Sequence, residues 1–289
     1  MNKLKAYVKL LRIKHYIKNG LVLLPLVFSG QLLQMDSMTH AIAGFVSFCL
    51  VSSAVYILND IQDVEKDRQH PTKCKRPIAS GAIPVPTAWV VWGICLLLAV
   101  GIGLLVQQPL VSYAALLAYF ILNVGYSMAW KNVPLLEIAI LVSGFLIRLL
   151  YGSLATGIPV SGWLFLTVIS ISFYLGFGKR RNEWRMQQKM HSSDTRKVLE
   201  AYTESFLNRS MGMFLCMSIV FYALWAVNHD SQVLLWSVPL VMLGALRYSM
   251  DVEGMDASGD PIEMIYGDKV IWLLGILSVV VILFGVYGG

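Results

Sequence analysis

The segment Asn59-Asp60-Ile61-Gln62-Asp63-Val64-Glu65-Lys66-Asp67 sets a carboxamide and several carboxylates where a long apolar run ends. Asn59, Asp63 and Asp67 recur at i, i+4 and i+8, and Asp60 precedes Asp63 by three, so a continuous helix would turn all four toward one side. Hard cations take such oxygens, and Mg2+ is usually held by a few carboxylates together with substrate phosphates rather than by a closed protein cage. The spacing points to a Mg2+-diphosphate grip with Asn59, Asp60, Asp63 and Asp67 as ligands; a solvated acidic helix end is the alternative. The run His70-Pro71-Thr72-Lys73-Cys74-Lys75-Arg76-Pro77 follows at once, so Lys73, Lys75 and Arg76 put phosphate-binding charge beside the acids. Topogenic positive charge accounts for bases in such a loop but not for the acids.

Five other places carry chemistry. Gly178-Lys179-Arg180-Arg181-Asn182-Glu183 is basic at a membrane edge, where arginine forks and a lysine charge suit a second anion, with Glu183 the single acid. Arg148 falls inside an apolar span, with Gly144 and Gly152 one turn away on the same face; a polar cavity is the expected surrounding and an ion pair with Glu137 the competing one. Lys14 and Lys18, one helical turn apart and next to Asn19, could reach a lipid phosphate or simply snorkel to head groups. Tyr126, Trp130 and Lys131 lie at another membrane edge, and Asp260, Glu263 and Asp268 form a late acidic group, either solvated or hydroxyl-binding.

The elements that must position these groups are membrane helices. The chain has 289 residues, 57% hydrophobic and 14% charged, with a mean hydropathy of +0.65, outside the range of soluble domains. Nine spans are predicted, near residues 15–33, 41–59, 86–106, 110–129, 134–155, 162–178, 210–227, 232–249 and 269–288. All of the 23 basic residues except Arg148 fall on one side of that arrangement, which puts the N-terminus and the long loops, about 60–85 and 179–209, in the cytosol and the C-terminus outside. The net charge of +6 lies along one membrane face, so it suits anionic lipid and phosphate, and no nucleic-acid partner is expected. The basic N-terminal segment leads into an apolar stretch too long for a cleavable signal. Cys49, Cys74, Cys95 and Cys216 are scattered without CxxC spacing, which argues against a disulfide framework or structural metal. The two large loops follow the second and sixth spans, a spacing that hints at an internal repeat.

Asn59, Asp60, Asp63 and Asp67 match the NDxxDxxxD hallmark of the UbiA superfamily of intramembrane prenyltransferases, and the chain resembles that family in its nine-span layout as well. Members carry a second aspartate-rich motif after the sixth span; here Lys179-Arg180-Arg181-Asn182-Glu183 stands in its place. That departure, with Lys14-His15-Tyr16-Ile17-Lys18-Asn19, the HPTKxxRPIAxG run at 70–81, and the stretches 126–134 and 144–148, is similar to the decaprenyl-phosphate phosphoribosyltransferases. The resemblance implies an all-α, polytopic UbiA-type bundle of nine transmembrane helices with a cytosol-facing active cavity, forming one catalytic domain over 1–289 in a bacterial plasma membrane.

The reaction so implied joins 5-phosphoribosyl-1-diphosphate to a polyprenyl phosphate, with Mg2+ as cofactor and membrane lipid around it, and it is compatible with a monomer or an oligomer. Asp60, Asp63 and Asp67, with Asn59, would hold the metal and carry catalysis. Lys73, Lys75 and Arg76 would take donor phosphates, and Lys14, Lys18, Tyr126, Lys131, Arg148, Lys179, Arg180, Arg181 and Glu183 the remaining substrate contacts. An aromatic prenyltransferase using a prenyl diphosphate shares the fold and first motif; a transporter would place polar groups at mid-membrane on broken spans.

Overall fold

The computed structural model describes residues 3–128, 130–190, 197–254 and 268–288. Asp260 and Glu263 lie outside the described residues. The chain forms helices α1 (Lys3–Leu10), α2 (Leu24–Phe28), α3 (Met35–Gln62), α4 (Val64–Gln69), α5 (Val85–Leu105), α6 (Leu110–Met128), α7 (Leu136–Thr156), α8 (Gly162–Met190), α9 (Glu204–Val227), α10 (Ser237–Gly254) and α11 (Lys269–Tyr287). Among the described residues there is no strand, and eight helices are long and apolar enough to cross a bilayer. Leu97, Leu105, Leu117, Leu273 and Val280 on these helices are exposed, as expected where hydrocarbon rather than water is the solvent.

The expected first span, 15–33, is not one α-helix. It is a 3-10 segment, Ile13–Leu23, followed by the short α2. Pro25 stands in the first turn of α2, the helical position that tolerates proline; a helix arriving from further upstream would lack a donor there and meet the pyrrolidine ring. The tighter 3-10 winding also separates Lys14 from Lys18, because residues four apart no longer stack at three residues per turn; Lys14 is exposed and Lys18 half-buried.

The chain falls into two compact units: residues Met1–Met128 with Ile147–Pro159, and residues Ala129–Leu146 with Val160–Gly289. In the first unit α3 is central and packs against α5, α6 and the 3-10 segment. Its buried Ala41, Ala43, Gly44, Ser47, Ser52, Ser53 and Ala54 are small, which lets neighbouring backbones come close where packing rather than hydrophobicity drives association. Val22, Phe48, Val51, Tyr119 and Tyr151 fill one core cluster, and Ala6, Leu10, Ile57, Ile78 and Ile83 another that fastens α1 to α3 and the loop after α4. A side chain at Gly152 would put its Cβ 2.0 Å from the Val22 carbonyl oxygen. The glycine therefore serves the close approach of two backbones rather than opening room for Arg148.

In the second unit α8 and α9 pack along their length, burying Ile138, Tyr174, Phe177, Leu207 and Met211 together. The Thr203 side chain caps α9 by accepting from the Phe206 amide at 3.2 Å. α8 runs on to Met190, well past the expected span end, because nothing after Gly178 breaks a helix in Lys179-Arg180-Arg181-Asn182-Glu183-Trp184-Arg185. The basic stretch expected in a loop is thus helical.

Candidate acidic site

The acidic motif does not lie on one continuous helix. α3 ends at Gln62; Asp63 is its C-cap, donating its amide to the Asn59 carbonyl at 3.0 Å, and α4 restarts at Val64. Asp60 sits in the last turn of α3 and Asp67 on α4, and the loop that follows brings Arg76 back to both. Its Nη1 donates to Asp60 Oδ1 at 3.0 Å and to Asp67 Oδ2 at 2.7 Å. A second guanidinium reaches the same place from the N-terminal segment, with Arg12 Nη2 donating to Asp60 Oδ1 at 2.6 Å and lying over the Tyr56 ring at 4.5 Å. The two carboxylates are 2% and 3% exposed. Asn59 Oδ1 accepts from Ser127 Oγ at 2.9 Å, and Asp63 is half-buried.

This donor set fits a divalent cation completed by substrate oxygens. Two buried carboxylates face one cationic nitrogen in Arg76, so the fold already makes a cation position between them. Among the described residues no three His, Cys, Asp or Glu side chains converge, which leaves Asn59, Asp63 or a ligand's phosphates to complete the coordination. Of the expected site residues, then, the structure brings together Asp60, Asp67 and Arg76 and adds Arg12. Lys73 and Lys75 remain exposed, with the Lys75 carbonyl accepting from Lys9 Nζ at 2.6 Å. Arg12 was one basic residue among six in the N-terminal stretch, and only the need of buried carboxylates for nearby cations would have marked it.

Arg148 is 6% exposed. Its Nε donates to Asn19 Oδ1 at 2.8 Å and its Nη2 to the Tyr119 hydroxyl at 3.0 Å, and the guanidinium lies 5.2 Å from the Phe48 ring centre and 4.9 Å from that of Tyr119. Arg148 is therefore built into a polar and aromatic cluster of the first unit. The competing partner Glu137 is engaged elsewhere, by Arg180.

In the second unit Arg180, expected to face an anionic substrate, meets carboxylates of the protein. Both Arg180 and Glu137 have wholly buried side chains and form an ion pair, with Arg180 Nε 2.6 Å from each Glu137 oxygen and Glu183 pairing with Arg180 one turn on. Tyr202 adds to this cluster: its hydroxyl accepts from the Leu135 amide at 2.7 Å and donates to Glu137 at 3.4 Å. Burial pushes the Tyr202 phenol above its ordinary pKa, so it stays a donor. Arg181 is buried too, donating to Asn208 Oδ1 at 3.1 Å and to the Val252 carbonyl at 2.8 Å. Lys179, Tyr126 and Lys131 are half-buried. Asp268 caps α11, accepting from the Val270 amide at 2.6 Å, and pairs with Arg247 at 2.6 Å; that bond holds its carboxyl below the usual range. The described contacts of Asp268 are thus a helix cap and an ion pair.

A sequence model of the UbiA prenyltransferase family matches residues 22–264. The chain is 33% identical to a protein of Corynebacterium glutamicum named decaprenyl-phosphate phosphoribosyltransferase, over 99% of this chain and 88% of that one. It is likewise 33% identical to a Mycolicibacterium smegmatis protein of the same name, over 94% of this chain and 90% of the relative. The fold is similar to a UbiA homolog from Archaeoglobus fulgidus solved with GPP and Mg2+, with a TM-score of 0.69, 17% identity, and coverage of 98% of this chain and 100% of that one.

Proposed function

We propose that this chain, which belongs to the UbiA prenyltransferase family, moves 5-phosphoribose from 5-phosphoribosyl-1-diphosphate onto a polyprenyl phosphate of the decaprenyl type. Diphosphate leaves, and the product is polyprenyl-phosphoryl-5-phosphoribose, a precursor of a cell-envelope pentose donor. The observation that carries this reading is the near full-length likeness to a protein named for that reaction, at 33% identity over 99% of the chain.

Asp60 and Asp67, with Asn59 and Asp63 beside them, would hold Mg2+. When bound, the ion would supply neutralising charge for the departing diphosphate. Lys73 and Lys75, exposed on the loop after α4, receive donor phosphates together with Arg76. Lys14, Lys18, Tyr126, Lys131 and Lys179 remain as contacts for the ribose phosphate and the lipid phosphate. Arg148 offers a fixed buried charge, oriented by Asn19 and Tyr119. Arg180 and Arg181, with Glu183, act at one remove by fixing the end of α8 in place. The nucleophile, a phosphate monoester, is already ionised at neutral pH. No general base is needed, and positioning and electrostatics carry the rate as the ribose C1–O bond opens toward an oxocarbenium-like state. The basic residues of the N-terminal segment and the long connections favour a bacterial plasma-membrane orientation with this face cytosolic.

The test uses purified protein, polyprenyl monophosphate and donor labelled in the ribose. Label is expected in the organic phase with Mg2+, at background with EDTA, and again in the organic phase when Mg2+ is restored. Formation of a prenylated aromatic acid from a prenyl diphosphate, with no ribose label reaching lipid, would overturn the reading.

A further inference from the structure

Asp60 and Asp67 are deeply buried, yet their charge is balanced by side chains that are not. The carboxylates are 2% and 4% exposed, whereas the Arg12 and Arg76 side chains are 22% and 28% exposed. The partners free to leave are the cations. Arg76 Nη1 touches both carboxylates, at 3.0 and 2.7 Å, so it stands where a metal bridging them would stand, and the two cannot share the place. Arg12 closes the other side of Asp60 at 2.6 Å. Its backbone is left-handed, φ 53°, at the junction of α1 and the 3-10 segment, a conformation that is strained for a residue with a Cβ. The fold enforces it by clamping the neighbouring chain: Ser53 Oγ donates to the Leu11 carbonyl at 2.8 Å, and Tyr16 joins the same hydroxyl at 2.8 Å.

Resting on the reading above, we propose that Arg12 and Arg76 are resident counter-ions of the metal position, which yield Asp60 and Asp67 to a divalent cation only when a diphosphate arrives to receive their guanidinium groups. Charge requires the coupling. Two carboxylates and two guanidinium groups are neutral together, so a divalent ion entering alone leaves two unbalanced positive charges in a poorly hydrated place. An ion entering with a diphosphate does not. Arginine suits the exchange because its fork donates to a carboxylate or a phosphate in the same bidentate manner. Arg12 is thereby a diphosphate-binding residue of the donor site, delivered by the N-terminal segment, and Lys9, bonded to the Lys75 carbonyl at 2.6 Å, ties that segment to the loop that carries Arg76. Binding of metal and of diphosphate then help one another to the same degree, as linkage demands.

The experiment measures binding of Mn2+, as a stand-in for Mg2+, to the purified full-length protein by the free-ion electron paramagnetic resonance signal. Inorganic diphosphate is absent or present, and the Mn2+-diphosphate complex formed without protein is subtracted. In the wild type, diphosphate is expected to tighten Mn2+ at least about tenfold. Arg76→Gln and Arg12→Gln should each bind Mn2+ alone about tenfold more tightly than the wild type and lose the tightening by diphosphate. Equal Mn2+ affinity with and without diphosphate in the wild type overturns the proposal, as does weaker binding of Mn2+ alone by the variants. The wild-type comparison decides by itself if a variant fails to fold. Ribose transfer is scored on the same preparation. Transfer without coupling overturns the exchange and leaves the function standing; coupling without transfer does the reverse.

Discussion

Asp67→Asn and Asp60→Asn are each expected to lower kcat about a hundredfold or more, the scale on which loss of one charge-stabilising group in a transition state is felt. Asparagine keeps the shape and one oxygen but removes the charge that a hard cation requires. The two variants should differ in stability. Among the described residues Asp67 pairs with Arg76 alone, while Asp60 pairs with Arg12 and Arg76 together, so neutralising Asp60 strands more positive charge and should melt at the lower temperature. Steady-state kinetics alongside thermal melting in detergent separates the effects. Wild-type turnover in either variant would take the metal role from these carboxylates and leave them a buried ion-pair cluster with Arg12 and Arg76.

Arg180→Met is expected to destabilise the protein by about 3–5 kcal/mol, because it leaves Glu137 charged and enclosed, and breaking one side of a buried pair costs on that order. Glu137→Gln should cost a comparable amount by stranding Arg180. Arg180→Met combined with Glu137→Leu should recover a large part of the loss, since apolar replacement of both partners removes the uncompensated charge. Glu183, half-buried and still beside residue 180, limits that recovery. Denaturant titration in mixed micelles reads all three. If Arg180 instead met a substrate anion, Arg180→Met would melt like the wild type and show only a raised KM.

These two outcomes mark where sequence sufficed and where it did not. Except where α8 continues to Met190, the apolar runs show the later spans to within several residues, because a bilayer demands long, internally bonded segments and little else. The form of the first span was not legible, because hydropathy counts residues and ignores backbone geometry: a 3-10 segment and a short helix opened by Pro25 stand where composition suggested one α-helix. The acidic motif was legible as a set of donors, but its presentation was not. The break at Asp63 and the return of Arg76 depend on a loop conformation that has no period to read. Arg180 looked like a ligand group for a related reason. Glu137, its partner, lies 43 residues away, and nothing local distinguishes a cation that will be buried against a distant carboxylate from one that faces an anion.

The claim on which the rest depends is that the lipid phosphate attacks ribose C1. A donor carrying 18O in the bridge between C1 and the diphosphate tests it in a single mass measurement on both products. The expected result is that all of the heavy oxygen leaves with the released diphosphate and the ribose-bearing lipid contains none. Heavy oxygen retained on the ribose would place bond breaking at phosphorus and contradict that claim.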